Sequence, residues 1–91
     1  MSVYVDAPRD YGALVNGHAR RYGTRWSHLW ADSEAELRAF VQRLGLAERW
    51  IQHAGTRRVH FDVTPPKRAL AIELGAVQME YREWLRERRT A

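Results

Sequence analysis

The sequence predicts an α/β fold, a small single-domain sandwich with a mostly parallel sheet of three or four strands and helices packed on it. Alternating or β-branched segments recur at residues 2–5, 25–31, 59–63 and 76–79, and capped helical stripes lie between and after them. The 91 residues, 45% apolar with four Trp, four Tyr and two Phe, suffice for one hydrophobic core and not for two.

Taken in order, SVYV at 2–5 alternates like a strand, and Asp6, Ala7 and Pro8 end it. The stretch RDYGALVNGHARRYGT, 9–24, holds three glycines and no sustained period, so it reads as a long loop. RWSHLWA at 25–31 is a second strand with Trp26, His28 and Trp30 on one face and Ser27 and Leu29 on the other. Ser33 opens a helix through a capping box completed by Glu36; Leu37, Phe40, Val41 and Leu44 form its buried stripe and Gly45 its left-handed stop.

AERWIQH, 47–53, reads as a short second helix that buries Trp50 and Ile51, with a turn after it. VHFDV at 59–63 sets Val59, Phe61 and Val63 on one face against His60 and Asp62 on the other. Thr64 then caps a helix with Pro65 at its first position, Ala69, Leu70, Ile72 and Leu74 toward the core, and Gly75 as its stop. AVQM at 76–79 is a fourth strand. EYREWLRERR, about 80–89, is a basic C-terminal helix with Tyr81, Trp84 and Leu85 along its apolar edge and Arg82, Arg86, Arg88 and Arg89 along its charged one.

Absence of cysteine excludes disulfides, thiolate metal sites and thiol nucleophiles. No window has the length and apolarity of a membrane span, and MSVYVDAPRD is not a signal peptide, so the expected location is cytoplasmic with no membrane partner. Fifteen basic against eleven acidic side chains give a net charge of +4 and a pI near 10.1, which favours anionic partners. All but Lys67 of the basic residues are arginine, a bias that suits phosphate and also follows from G+C-rich coding.

Three groups of residues could carry chemistry. At the strand-to-helix join, Thr64, Lys67 and Arg68 surround a helix N-terminus, where free N–H groups and the helix dipole favour an anion. His28, His60 and Asp62, with Asp6 and Asp32 nearby if the strands share a carboxyl edge, offer imidazole and carboxylate ligands, although in no diagnostic spacing. Arg20, Arg21, Tyr22, Arg25, Trp26 and Trp30 interleave cations with rings as single-strand binders do, and the same tryptophans serve equally as core or dimer contacts.

The motifs VYVD at 3–6, RWSHLWAD at 25–32, ELRAFVQRLGL at 36–46, RWIQ at 49–52 and HFDVTPPKRALAIELGAV at 60–77 together resemble a family of small bacterial and phage proteins catalogued as domain of unknown function 4031. Phe61 stands where that family often has Tyr, and Trp30 where it often has a smaller residue. The resemblance implies a bacterial or phage origin and one compact domain, and brings no activity with it.

The first functional expectation is a non-enzymatic module that binds a phosphate-bearing ligand, a nucleotide or nucleic acid, through Arg25, His28, His60, Asp62, Thr64, Lys67 and Arg68, without a cofactor. The alternative is a small phosphoesterase or nuclease whose divalent metal is held by Asp6, His60 and Asp62. A third is a protein-interaction module, a homodimer or a phage factor that engages a host protein.

Overall fold

The computed structural model describes residues 2–10 and 25–90, with the side chains of Asp10 and of 88–90 left aside. Strands β1 (Val3–Val5), β2 (Arg9–Asp10) and β3 (Arg25–Ala31) are followed by helix α1 (Glu34–Leu44) and a 3-10 turn at Glu48–Trp50. Then come β4 (Phe61–Val63), α2 (Pro65–Glu73), β5 (Val77–Gln78) and α3 (Tyr81–Thr90).

The sheet is mixed and mostly antiparallel, which corrects the mostly parallel expectation. β3 is central: Leu29 pairs with Val5 of β1 and with Phe61 of β4, and both neighbours run against it. Among the described strands, only β5 runs parallel to its neighbour, β1. Helices between strands suggested parallel crossovers, but residues 45–60 carry the chain back across the sheet before β4 begins, so α1 does not fix the direction of the next strand.

β2 continues β1 with a shift of register. Val5 faces Leu29 and Arg9 faces Trp26, so residues 6–8 stand opposite only 27 and 28, which is a β-bulge at Asp6–Pro8. Arg9 and Asp10 are therefore strand and not loop; the rest of the expected loop, with Arg20, Arg21 and Tyr22, lies outside the described residues.

Alternation along β3 separates two layers. On one face Val3, Val5, Leu29, Phe61 and Val63 pack with Leu37, Phe40, Val41 and Leu44 of α1 and Ala71 of α2. Ala71 is the fully buried residue of α2, while Ala69 is exposed, contrary to expectation. Phe61 is completely enclosed in this apolar layer, so a ring without a hydroxyl suits it. On the other face Tyr4 and Trp30 stack, and Trp84 and Tyr81 of α3 close over them. Trp26 and Trp30 are both buried.

The caps differ in how they work. Ser33 Oγ accepts the Glu36 amide at 3.2 Å, but Glu36 Oε1 has no partner among the described residues. Gly45, at φ 75°, ends α1 as the left-handed residue, with the Leu46 amide donating to the Val41 carbonyl. Thr64 occupies the N-cap of α2 without any side-chain capping bond, so Pro65 and the extended backbone set that start. Residues 47–53 form only a 3-10 turn before an extended stretch, and Trp50 is 40% exposed instead of buried.

Ser27 lies on the apolar face, 1% exposed, with its Oγ unpartnered among the described residues. A buried hydroxyl without a hydrogen bond is destabilising by about 1–3 kcal/mol. Ser27→Ala is expected to raise the stability of the domain by about 1 kcal/mol in urea denaturation; a loss of stability would show that the hydroxyl is satisfied in solution.

Candidate functional site

The bulge turns Asp6 inward beneath α3. Its side chain is 2% exposed and binds His28 twice: Oδ1 accepts the His28 amide at 2.6 Å and Oδ2 lies 2.7 Å from His28 Nδ1. The Asp6 amide in turn donates to the His28 carbonyl at 3.1 Å. A carboxylate thus replaces one rung of the interrupted ladder. Because it accepts only, it places the His28 proton on Nδ1 and the ring lone pair on Nε2.

His60 reaches the same tautomer through a different partner. Its Nδ1 lies 2.8 Å from the Arg58 carbonyl oxygen, an obligate acceptor, so the proton sits there and the lone pair sits on Nε2. The Tyr81 hydroxyl donates to the same carbonyl at 2.9 Å. Asp62 stands directly across the β3–β4 ladder from His28, and Gln52 Nε2 donates to its Oδ2. The remaining oxygen, Oδ1, is 3.6 Å from His60 Nε2.

One ligand atom from each of His28, His60 and Asp62 thereby falls within 4.8 Å of the others. Two metal–ligand bonds of about 2.1 Å span at most about 4.2 Å, and about 3.4 Å in a tetrahedron. The His60–Asp62 separation of 3.6 Å nearly fits, and the widest gap, at most 4.8 Å, needs to close by no more than about 1.4 Å to reach the tetrahedral span. Each ligand also has its outer atom held, by Asp6, by the Arg58 carbonyl and by Gln52. That is the arrangement by which proteins fix tautomer and ring orientation around an ion.

Aromatic rings wall the cluster. His28 and His60 meet edge to face at 5.0 Å, Tyr81 stacks on His28 at 4.8 Å, and His53 stacks on His60 at 5.6 Å. Since α3 begins at Tyr81, shortly after β5, its first residue is delivered directly over the histidines. An Arg9–Glu80 ion pair of 3.0 Å ties that corner to β2.

The other expected site residues are not part of this cluster. Arg25 shares its β3 face with Ser27 and Leu29, opposite His28. Lys67 Nζ donates to the Leu44 carbonyl at 2.5 Å, and Arg68 donates to the Asp6 carbonyl at 2.8 Å and to Gln78 at 2.9 Å. Both cations of the strand-to-helix join therefore serve internal bonds, and Thr64 stays at the helix start. Asp32 sits at the opposite end of the sheet, accepting from the Ser2 amide and the Tyr4 hydroxyl, because β3 runs against β1 and β4. Asp6 lies behind His28, bonded to its Nδ1, and the cluster of His28, His60 and Asp62 does not include it. Sequence reasoning misses Gln52 and Tyr81 as site residues; the signal for Gln52 is its place two residues after Trp50, facing the next strand.

Burial pushes the His60 pKa down, and the charges of His28 and His53 act the same way; the Arg58 carbonyl and Asp62 oppose the shift. Burial also pushes the Tyr81 hydroxyl up, as do Asp6 and Asp62, with Arg58 opposing. His60 is thus held neutral. Below about pH 6.5, the ordinary histidine value, the unfolded chain binds a proton here that the folded chain resists. Stability is full above that value and falls as pH drops toward the lower folded one. In the metal-free protein, His60→Gln is expected to lose less stability than the parent in urea titrations as pH falls from about 7 to about 5; equal losses would remove His60 as the cause.

No curated protein and no solved structure matches this chain at the threshold of significance. One family model does match, over residues 3–91. The chain therefore belongs to the family described as protein of unknown function, DUF4031.

Proposed function

We propose that this protein is a small metal-dependent hydrolase of the phosphoesterase or nuclease kind, working in the cytoplasm of a bacterium or phage-infected cell. His28, His60 and Asp62 would hold one divalent ion, and the observation that carries the reading is their convergence with the Nδ1 atoms and Asp62 Oδ2 already engaged. Two imidazoles and a carboxylate suit zinc, manganese or iron(II), and a set of three protein ligands would leave room for water and substrate on the ion. An ion so held supplies Lewis acidity and brings a bound water's pKa toward neutrality.

The chain's own residues then have defined tasks. Asp6 and the Arg58 carbonyl keep both Nε2 lone pairs available to the ion, Gln52 turns Asp62, and Tyr81 with Trp30 shields the inner side from bulk water. In the reaction a water oxygen bonds to phosphorus, the bond from phosphorus to the leaving oxygen breaks, and the proton lost by water ends on that oxygen. Net charge of +4 favours a phosphate-bearing substrate. The cofactor-free phosphate-binding module is less well supported, since Lys67 and Arg68 are engaged with protein acceptors.

Titration with Zn, Mn and Fe(II), read by calorimetry and thermal melting, tests the proposal. At a hundredfold excess over Kd a bound ion adds about 2.7 kcal/mol, which raises Tm by roughly ten degrees or more in a domain this size. His60→Ala and Asp62→Ala are expected to abolish the rise. Asp6→Asn places an amide that can donate to His28 Nδ1, switches the imidazole to the wrong tautomer, and is expected to weaken metal binding about 10- to 100-fold with the fold retained. Absence of any metal-dependent stabilisation, or an Asp6→Asn protein that binds as the parent does, would refute the reading.

A further inference from the structure

Next to the cluster lies a segment that the metal chemistry leaves unused. Residues 49–58, RWIQHAGTRR, leave the 3-10 turn, pair at Gln52 with His60, and fold back through a turn at 53–56. The Gln52 and His60 backbones exchange both hydrogen bonds, at 2.9 and 3.1 Å, and Gln52 and Arg58 each hold a member of the cluster. This segment therefore forms one lip of the site.

Its outward side has a distinct chemistry. Trp50 is 40% exposed, an unusual placement for the largest apolar side chain. With two extended residues at about 3.3 Å each, its backbone lies within about 7 Å of Gln52. Arg49 lies over the Trp50 ring at 5.7 Å. Arg57 and Arg58 are exposed, and among the described residues neither guanidinium pairs with a carboxylate. His53, between them, has a left-handed backbone at φ 56° and keeps its ring stacked on His60.

We propose that this lip binds single-stranded nucleic acid, with Trp50 as a stacking platform for one base and Arg49, Arg57 and Arg58 as contacts to the backbone phosphates that flank that base. An exposed ring flanked by cations suits an unpaired base and its phosphates; a duplex hides its base faces and offers the ring nothing to stack on. The proposal rests on the hydrolase reading for what happens to the strand once bound, and stands without it for binding itself.

Fluorescence anisotropy of labelled oligo(dU) and oligo(U), measured with EDTA so that no metal contributes, tests the inference on the full chain. Both strands are expected to bind at low salt, the tighter one identifying the sugar preferred, while a duplex of equal length binds weaker. Trp50→Ala is expected to weaken single-strand binding about tenfold. Arg49→Ala with Arg57→Ala is expected to reduce the slope of log K against log salt by about 1.4, or about 0.7 for each phosphate that is no longer neutralised. All three residues are exposed, so circular dichroism and the metal titration of the variants should match the parent. Equal binding of duplex or inorganic polyphosphate, no binding at low salt, or variants that bind as the parent would overturn the proposal. Metal binding by the parent is scored separately and decides the hydrolase reading alone.

Discussion

Everything around the cluster depends on one buried carboxylate at one interruption in the sheet. Asp6 follows β1 at the point where three residues must stand opposite two of β3. A bulge leaves a strand amide without its ladder partner, and the Asp6 side chain supplies the missing acceptor to His28. The same carboxylate fixes the imidazole, and the backbone carbonyl of Asp6 is held by Arg68 from α2. Both layers therefore meet at this residue: α2 on the apolar side reaches it through Arg68, and α3 on the aromatic side covers the histidine it orients.

That arrangement explains why so many polar groups crowd the strand-to-helix join. Lys67 satisfies the last turn of α1, and Arg68 satisfies the bulge. These are bonds that buried backbone carbonyls require, and they account for the two cations without any ligand. His60 and Asp62 are different. His60 is nearly enclosed, is kept neutral by burial, and meets Asp62 only at 3.6 Å, too long for a direct hydrogen bond. Folding alone would have been served by an apolar pair facing Tyr81. Two imidazoles and a carboxylate that bring one ligand atom each to within 4.8 Å of the others are the observation on which the proposed ion rests.

Local structure is largely legible in the sequence, because caps, glycine stops and alternation act over a few residues. The α1 stripe, the Gly45 stop, the two faces of β3 and the strand at Phe61–Val63 all follow from such short-range patterns. Strand direction does not. It depends on how residues 45–60 cross the sheet, which no short window records, and a parallel sheet puts Asp32 at the wrong edge. For the site, alternation correctly places His28, His60 and Asp62 on like-facing positions, but it cannot show that β3 and β4 are neighbours in a register that sets Asp62 across from His28. Nor can composition reveal that Trp50 stays exposed while Trp26 and Trp30 are buried, since that depends on which strand faces α3 and which turn lies outside it.

The central claim is that this fold holds two histidines as Nδ1–H tautomers with both Nε2 atoms turned to a shared centre with Asp62. Long-range proton–nitrogen NMR of the metal-free protein at neutral pH tests it directly, because it distinguishes a protonated from an unprotonated ring nitrogen in each histidine. The account predicts protonated Nδ1 and unprotonated Nε2 for both His28 and His60, with the two Nε2 signals moving together when zinc is added. An Nε2–H tautomer for either histidine, or Nε2 signals indifferent to the ion, would contradict it.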